Sequence, residues 1–202
     1  MTTDALRTEL VGLSRAIHGT PELAYQERTA VKNIAALLEK RGHKVEQKLG
    51  GVETAFRART GPPGPAVAFL AEYDALPQIG HACGHNLIAM SNVGAFLLAA
   101  ERAKDLGVGV ELVGTPAEES GGGKIDLIDA GVFRDSIAVL SSPVRRSGMG
   151  VRRELAWRRR EARDLSWCRV ARRVLASPRA QRALRRDPPL RRDRRMATAP
   201  AR

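Results

Sequence analysis

Two short stretches of this chain concentrate side chains that can hold a cation and move a proton. The first, residues 72–86, reads EYDALPQIGHACGHN, with one Glu, one Asp, one Cys and two of the four histidines in the sequence. In extended backbone, positions i and i+2 project to the same side. Cys83 and His85 can then face one metal, as thiolate and neutral imidazole. A lone Cys-x-His equally describes a small buried cysteine beside a hydrogen-bonded histidine; the density of the cluster is what favours a metal. The second stretch, residues 114–123, reads GTPAEESGGG. Adjacent carboxylates point in different directions, so one of Glu118 and Glu119 can bind a metal while the other faces water or a substrate. Two such groups raise each other's pKa unless a cation compensates them. A bare Glu-Glu is more often a solvated acidic turn, but Pro116 and the three glycines argue for a shaped loop. Together the loops offer Cys, His and Glu, a mixed donor set suited to Zn²⁺ or Mn²⁺. The Glu that does not bind can take a proton from water that the metal acidifies to a pKa of ~7.

The surrounding elements predict how the two stretches meet. Residues 66–71 (AVAFLA) and 108–113 are apolar runs of the kind that buried parallel strands show. Residues 87–106 read as a long apolar-rich helix stopped by Gly107. A short helix over 124–130 and a strand over 137–140 follow. This strand–helix alternation predicts an α/β fold, a partial parallel-type sheet with flanking helices. Loops that follow parallel strands leave the sheet at one edge, where ligands of open α/β sheets bind. The two stretches should therefore face one another, although 34 positions separate His85 from Glu119. Upstream, Leu6, Leu10, Leu13 and Ile17 mark an amphipathic helix over 3–17, capped by Thr3 or Asp4 and broken by His18-Gly19-Thr20-Pro21. Val31, Ile34, Ala35, Leu37 and Leu38 mark a second over 26–41, with Gly42 just beyond it. Residues 43–49 and 52–60 read as two strands of a hairpin turning at Gly50-Gly51.

Three segments, taken as a set, resemble the M20 family of metallopeptidases and amidohydrolases. They are HGTPELAYQE (18–27), FLAEYDALPQIGHACGHNLIA (69–89) and VGTPAEESGGGK (113–124), with DAGVF (129–133) behind them. The resemblance covers roughly residues 5–135 and looks closest to the branch of aminobenzoyl-glutamate hydrolases and dipeptidases. It implies a zinc-peptidase-like catalytic domain, here its amino-terminal part, with two Zn or Mn ions in the intact site. It implies that Cys83, His85 and Glu119 bind metal, that Glu118 is the general base and that Asp74 supports the ligands. Glu72 stands where other branches often carry His, a departure that fits the branch using Cys83 and His85. His81 reads as a supporting or structural residue, His18 and Glu22 as structural, and His43 as a surface strand residue. The implied reaction is hydrolysis of an amide bond in N-acyl or aminobenzoyl amino acids or dipeptides. Family members dimerise through an inserted domain that this sequence does not contain.

Composition limits the alternatives. The chain has 202 residues, 43% of them hydrophobic, enough for a core. No apolar run reaches the ~18–20 residues of a membrane span, so no membrane partner is expected. The start has no secretion signal. Two cysteines, Cys83 and Cys168, make no disulfide framework, so a reducing, cytoplasmic compartment is expected. The formal charge of +12 is unevenly placed. Residues 1–135 carry 14 Lys and Arg against 17 Asp and Glu, whereas residues 136–202 carry 20 Arg, no Lys and five acidic residues. Two units follow: a catalytic-domain part over 1–135 and an Arg-rich tail over 136–202. The resemblance ends after Phe133, where the family continues with a His-Pro strand; residues 136–202 contain no histidine. The tail's composition is that of a G+C-rich gene read out of frame. Two other readings are a solvated helix and, with Trp157 and Trp167 as stacking platforms, a nucleic-acid-binding segment.

Overall fold

The computed structural model describes residues 3–143. The readings made for the Arg-rich tail beyond residue 143 lie outside the described residues. Five strands and five helices occur among those described: α1 (Thr3–Gly19), α2 (Arg28–Lys40), β1 (Val45–Gln47), β2 (Phe56–Thr60), β3 (Ala66–Ala71), α3 (His85–Ala100), α4 (Ala103–Leu106), β4 (Gly109–Gly114), α5 (Gly123–Asp129) and β5 (Ser136–Leu140). The strands form one sheet in the order β1-β2-β4-β3-β5. β3 is parallel to both β4 and β5, and β2 is antiparallel to β4. The fold is thus the expected mixed α/β arrangement. β5 begins one residue after the expected boundary at 135 and joins the sheet beside β3.

Each face of the sheet has its own core. On one side Leu6, Leu13 and Ile17 of α1, Val31, Ile34 and Leu38 of α2, and Val93, Phe96 and Leu97 of α3 pack over Ala71, Val110 and Leu112. On the other, Leu127 of α5 packs with Ala68, Leu70 and Val113. The alternation along β3 and β4 follows from the pleat, which sends successive side chains to opposite faces. α2 starts where the Glu22 carboxylate accepts the Thr29 and Ala30 amides, each at 2.9 Å, satisfying donors the first turn leaves open. Where β2 meets β4, Arg59 stands opposite Glu111 and pairs with its nearly buried carboxylate. Among the described residues no helix is long and apolar enough to cross a membrane.

Three expectations need adjusting. β1 and β2 do pair antiparallel, Val45 opposite Ala58, but not around a tight Gly50-Gly51 turn. Residues 48–55 form a longer connection with a 3₁₀ turn at Leu49–Gly51, because Leu49 and Ala55 are drawn out of the strands to pack against Leu127. The long helix breaks after Ala100 and resumes as the short α4. His43 is not a strand residue: it is half-buried, its ring edge-on to Phe96 and its Nδ1 3.1 Å from Thr60 Oγ1.

Candidate metal centre

β3 and β4 end side by side, Ala71 opposite Gly114. The Thr115 amide donates to the Ala71 carbonyl at 2.8 Å. The two loops therefore leave from neighbouring points on one sheet edge, as the strand pattern predicts. The first passes inward through Glu72, Tyr73, Asp74 and Ala75, all buried. It ends at Gly84, whose left-handed backbone (φ 79°) turns the chain into α3. Glycine enters this region at little cost because it has no Cβ. The extended backbone expected through Cys83 and His85 is absent: the Gly84 turn separates them, and His85 is instead the first residue of α3.

The second loop is a closed turn. The Gly122 amide donates to the Ala117 carbonyl at 2.8 Å. A Cβ on Gly123 would collide with the Pro116 carbonyl, and one on Gly121 with the Tyr25 ring. The glycine run is thus required by close packing, and Glu118 and Glu119 are held at the rim.

Asp74 joins the two loops. Its Oδ1 lies 2.9 Å from His85 Nδ1, its own carbonyl lies 2.9 Å from the same nitrogen, and its Oδ2 accepts the Glu119 amide at 3.0 Å. With Nδ1 as the donor, Nε2 presents its lone pair. It stands 3.6 Å from Glu119 Oε1, 3.8 Å from Glu72 Oε2 and 3.9 Å from Glu118 Oε2. These spacings are too long for hydrogen bonds. They approach the ~3.4 Å between neighbouring donors of a tetrahedral ion with bonds of ~2.0–2.1 Å. Donor atoms of His85, Glu118 and Glu119 all lie within 4.8 Å of one another. One imidazole and two carboxylates arranged in this way fit a divalent cation.

Neighbouring charges set the protonation of the His85–Asp74 pair. Burial lowers the His85 pKa, but the Asp74 hydrogen bond and the charges of Asp74, Glu72 and Glu118 outweigh it and raise it overall. Burial pushes Asp74 up, but His85 and the Glu119 amide outweigh it and hold the carboxyl below its ordinary value. Lys124, nearly buried, places Nζ 2.7 Å from Glu72 Oε1 and 3.6 Å from Glu118 Oε1. Glu72 is therefore tied by a lysine on the side away from His85. Sequence reasoning did not single out Lys124, although its place directly after three glycines in a matched motif was a usable signal.

Cys83 is an exposed free thiol outside the His85–Glu118–Glu119 trio. It lies beside Glu119, whose hydrogen bond, with burial and neighbouring carboxylates, pushes the thiol up to about 11. His81 is buried, its ring centroid 6.2 Å from that of His18. Burial lowers its pKa.

An imidazole and paired carboxylates thus meet at the carboxyl edge of an α/β sheet. No family model matches the chain. It is similar to the Xaa-Arg dipeptidase of Mus musculus, 47% identical over an alignment of 146 residues that covers 65% of this chain and 34% of that protein. It is similar to one of the subunits of the p-aminobenzoyl-glutamate hydrolase of Escherichia coli, 31% identical over 173 residues, covering 76% of this chain and 36% of the other. A dinuclear metal-binding M20 peptidase from Bacillus subtilis superposes with a TM-score of 0.62 at 28% identity, over 68% of this chain and 43% of its own. The chain thus spans about a third of the length of these curated relatives. Over the matched part it is similar to the M20 family of metallopeptidases and amidohydrolases, to which the Bacillus subtilis peptidase belongs.

Proposed function

We propose that this chain carries the amino-terminal part, residues 1–135, of a metal-dependent amidohydrolase or dipeptidase. In this reading Cys83, His85 and Glu119 bind metal, Glu118 is the general base and Asp74 supports the ligands. The observation that carries it is the approach of His85 Nε2 to Glu119 and Glu118 while Asp74 fixes the other ring nitrogen. When bound, a divalent ion, Zn or Mn, supplies a Lewis acid for the scissile carbonyl and makes water easier to deprotonate.

The chain's own groups divide the remaining work. Asp74 selects the tautomer with Nδ1 protonated, so that Nε2 is free to ligate. Glu119 is oriented by the hydrogen bond that its main-chain amide donates to Asp74. Glu118, more exposed than Glu119, is placed to take the proton of the attacking water and return it to the leaving amine. Lys124 balances Glu72 and Glu118, lowering the repulsion among three carboxylates.

The substrate class is a dipeptide or an N-acyl or aminobenzoyl amino acid; the mouse relative makes Xaa-Arg dipeptides the first to try. The His-Pro strand that the resemblance implies after Phe133 is not matched, so turnover by this chain alone is expected to be impaired. A free Cys83 thiol fits a reducing, cytoplasmic setting. The test is hydrolysis of an Xaa-Arg dipeptide and of aminobenzoyl-glutamate by the full chain, with Zn²⁺ or Mn²⁺ and with chelator. Chelator-sensitive release of free amino acid supports the reading; equal release with chelator contradicts it.

A further inference from the structure

The segment between α1 and α2 touches both loops of the metal centre. The Glu22 carbonyl accepts the Ala75 amide of the first loop at 2.8 Å. The Glu27 side chain reaches the second, where its Oε1 accepts the Ala117 amide at 2.8 Å. Glu27 is fully buried, which is costly for a carboxyl and calls for a reason. Capping is not that reason. Glu27 immediately precedes α2, yet its side chain makes no cap bond. Glu22 already takes the Thr29 and Ala30 amides. Released from that role, the Glu27 carboxyl bonds across 90 positions of sequence to Ala117.

Ala117 needs such a partner. It is buried and left-handed, with φ 53°, a conformation that costs energy in a residue with a Cβ. It directly precedes Glu118 and Glu119. The far end of the same loop is held by Tyr25, whose ring covers Gly121 and whose hydroxyl donates to Asp126 Oδ2 at 2.6 Å.

We infer that Glu27 is a positioning residue for the metal centre: it fixes the Ala117 amide and so sets the direction in which Glu118 and Glu119 leave their loop. The inference rests on the metal-centre reading above. It is tested in the full chain by Glu27→Leu and Glu27→Gln, using amide hydrogen exchange and Co²⁺ titration followed by visible absorption. Glu27→Leu is expected to speed exchange at residues 117–119 at least about tenfold while α1 amides hold their protection. It is also expected to weaken Co²⁺ binding about tenfold or more and to alter the Co²⁺ spectrum. Glu27→Gln keeps an acceptor oxygen for Ala117 and should restore all three readouts to near those of the unaltered chain.

Exchange and Co²⁺ affinity unchanged in Glu27→Leu would overturn the inference. So would equal losses in both variants, since a kept acceptor would then make no difference. Should Glu27→Leu fail to fold, Glu27→Asp, which withdraws the oxygen by one methylene, must still speed exchange at 117–119; unchanged exchange there overturns it. Absence of Co²⁺ binding in the unaltered chain would remove the metal reading, while the exchange contrast would still decide the role of Glu27.

Discussion

Asp74 accepts the Glu119 main-chain amide at 3.0 Å, across 45 positions of sequence. Its other oxygen holds His85 Nδ1. One buried carboxylate therefore sets the ligating nitrogen of one loop and the backbone of the other. Neither loop has to be rigid alone, because each is fixed against the same side chain.

Replacing Asp74 tests that link. Asp74→Ala removes the side-chain oxygens at His85 Nδ1 and at the Glu119 amide, leaving the main-chain carbonyl alone on the ring, and should weaken Zn²⁺ binding about 10–100-fold. The sign of the pH effect also follows. The folded state holds the Asp74 pKa below its ordinary value, so its stabilising contribution is complete above about pH 4 and fades as pH falls through the folded value. Thermal melts at falling pH should show a loss in the unaltered chain that is smaller in Asp74→Asn. Parallel acid curves would contradict the assignment.

Glu118 and Glu119 should separate by function. Glu118→Gln is expected to cut any turnover of an Xaa-Arg dipeptide about 10²–10⁴-fold while Zn²⁺ binding survives. Glu119→Gln is expected to lose Zn²⁺ binding itself. Calorimetry and a coupled assay for free arginine would measure both, and loss of metal in Glu118→Gln with retention in Glu119→Gln would reverse the two roles.

Cys83 lies next to Glu119 but outside the trio, so its participation has a spectroscopic signature of its own. A thiol with a pKa of about 11 must give up its proton to ligate, and metal binding then releases protons. Co²⁺ loading should produce a thiolate charge-transfer band in the near ultraviolet that Cys83→Ser abolishes. Loading without that band would leave Cys83 out of the ligand set.

Tyr25 reports on the outer support of the acidic loop. Burial and then the Asp126 hydrogen bond raise its pKa to about 12, and burial raises that of Tyr73 as well. Both phenols are favoured as neutral groups in the folded state. Their contribution to stability is therefore complete below the unfolded value of about 10 and is lost as pH climbs beyond it. Ultraviolet titration of the folded chain should show little phenolate until well above pH 10. A Tyr25 transition at the ordinary value, assigned with Tyr25→Phe, would break the contact with Asp126.

Much of this arrangement was legible in the residues. The apolar runs at 66–71 and 108–113 mark strands because both lie in the sheet interior. Their parallel pairing brings His85 and Glu119 together, as the pattern requires. What local pattern could not supply were choices made by tertiary packing. The turn at Gly84 moves His85 onto a helix, and Leu49 leaves its strand to pack beside Leu127. The nearest partner of Lys124, Glu72, lies 52 positions away in sequence, and Glu27 reaches across 90 to Ala117.

The central claim is that His85 and Glu119 bind one divalent ion, with Glu118 beside it as the base. Calorimetric titration of the metal-free full chain with Zn²⁺, beside His85→Ala, tests it most directly. The account predicts saturable binding in the unaltered chain and a loss of about 100-fold or more in the variant. No saturable binding, or the same isotherm for both proteins, would contradict it.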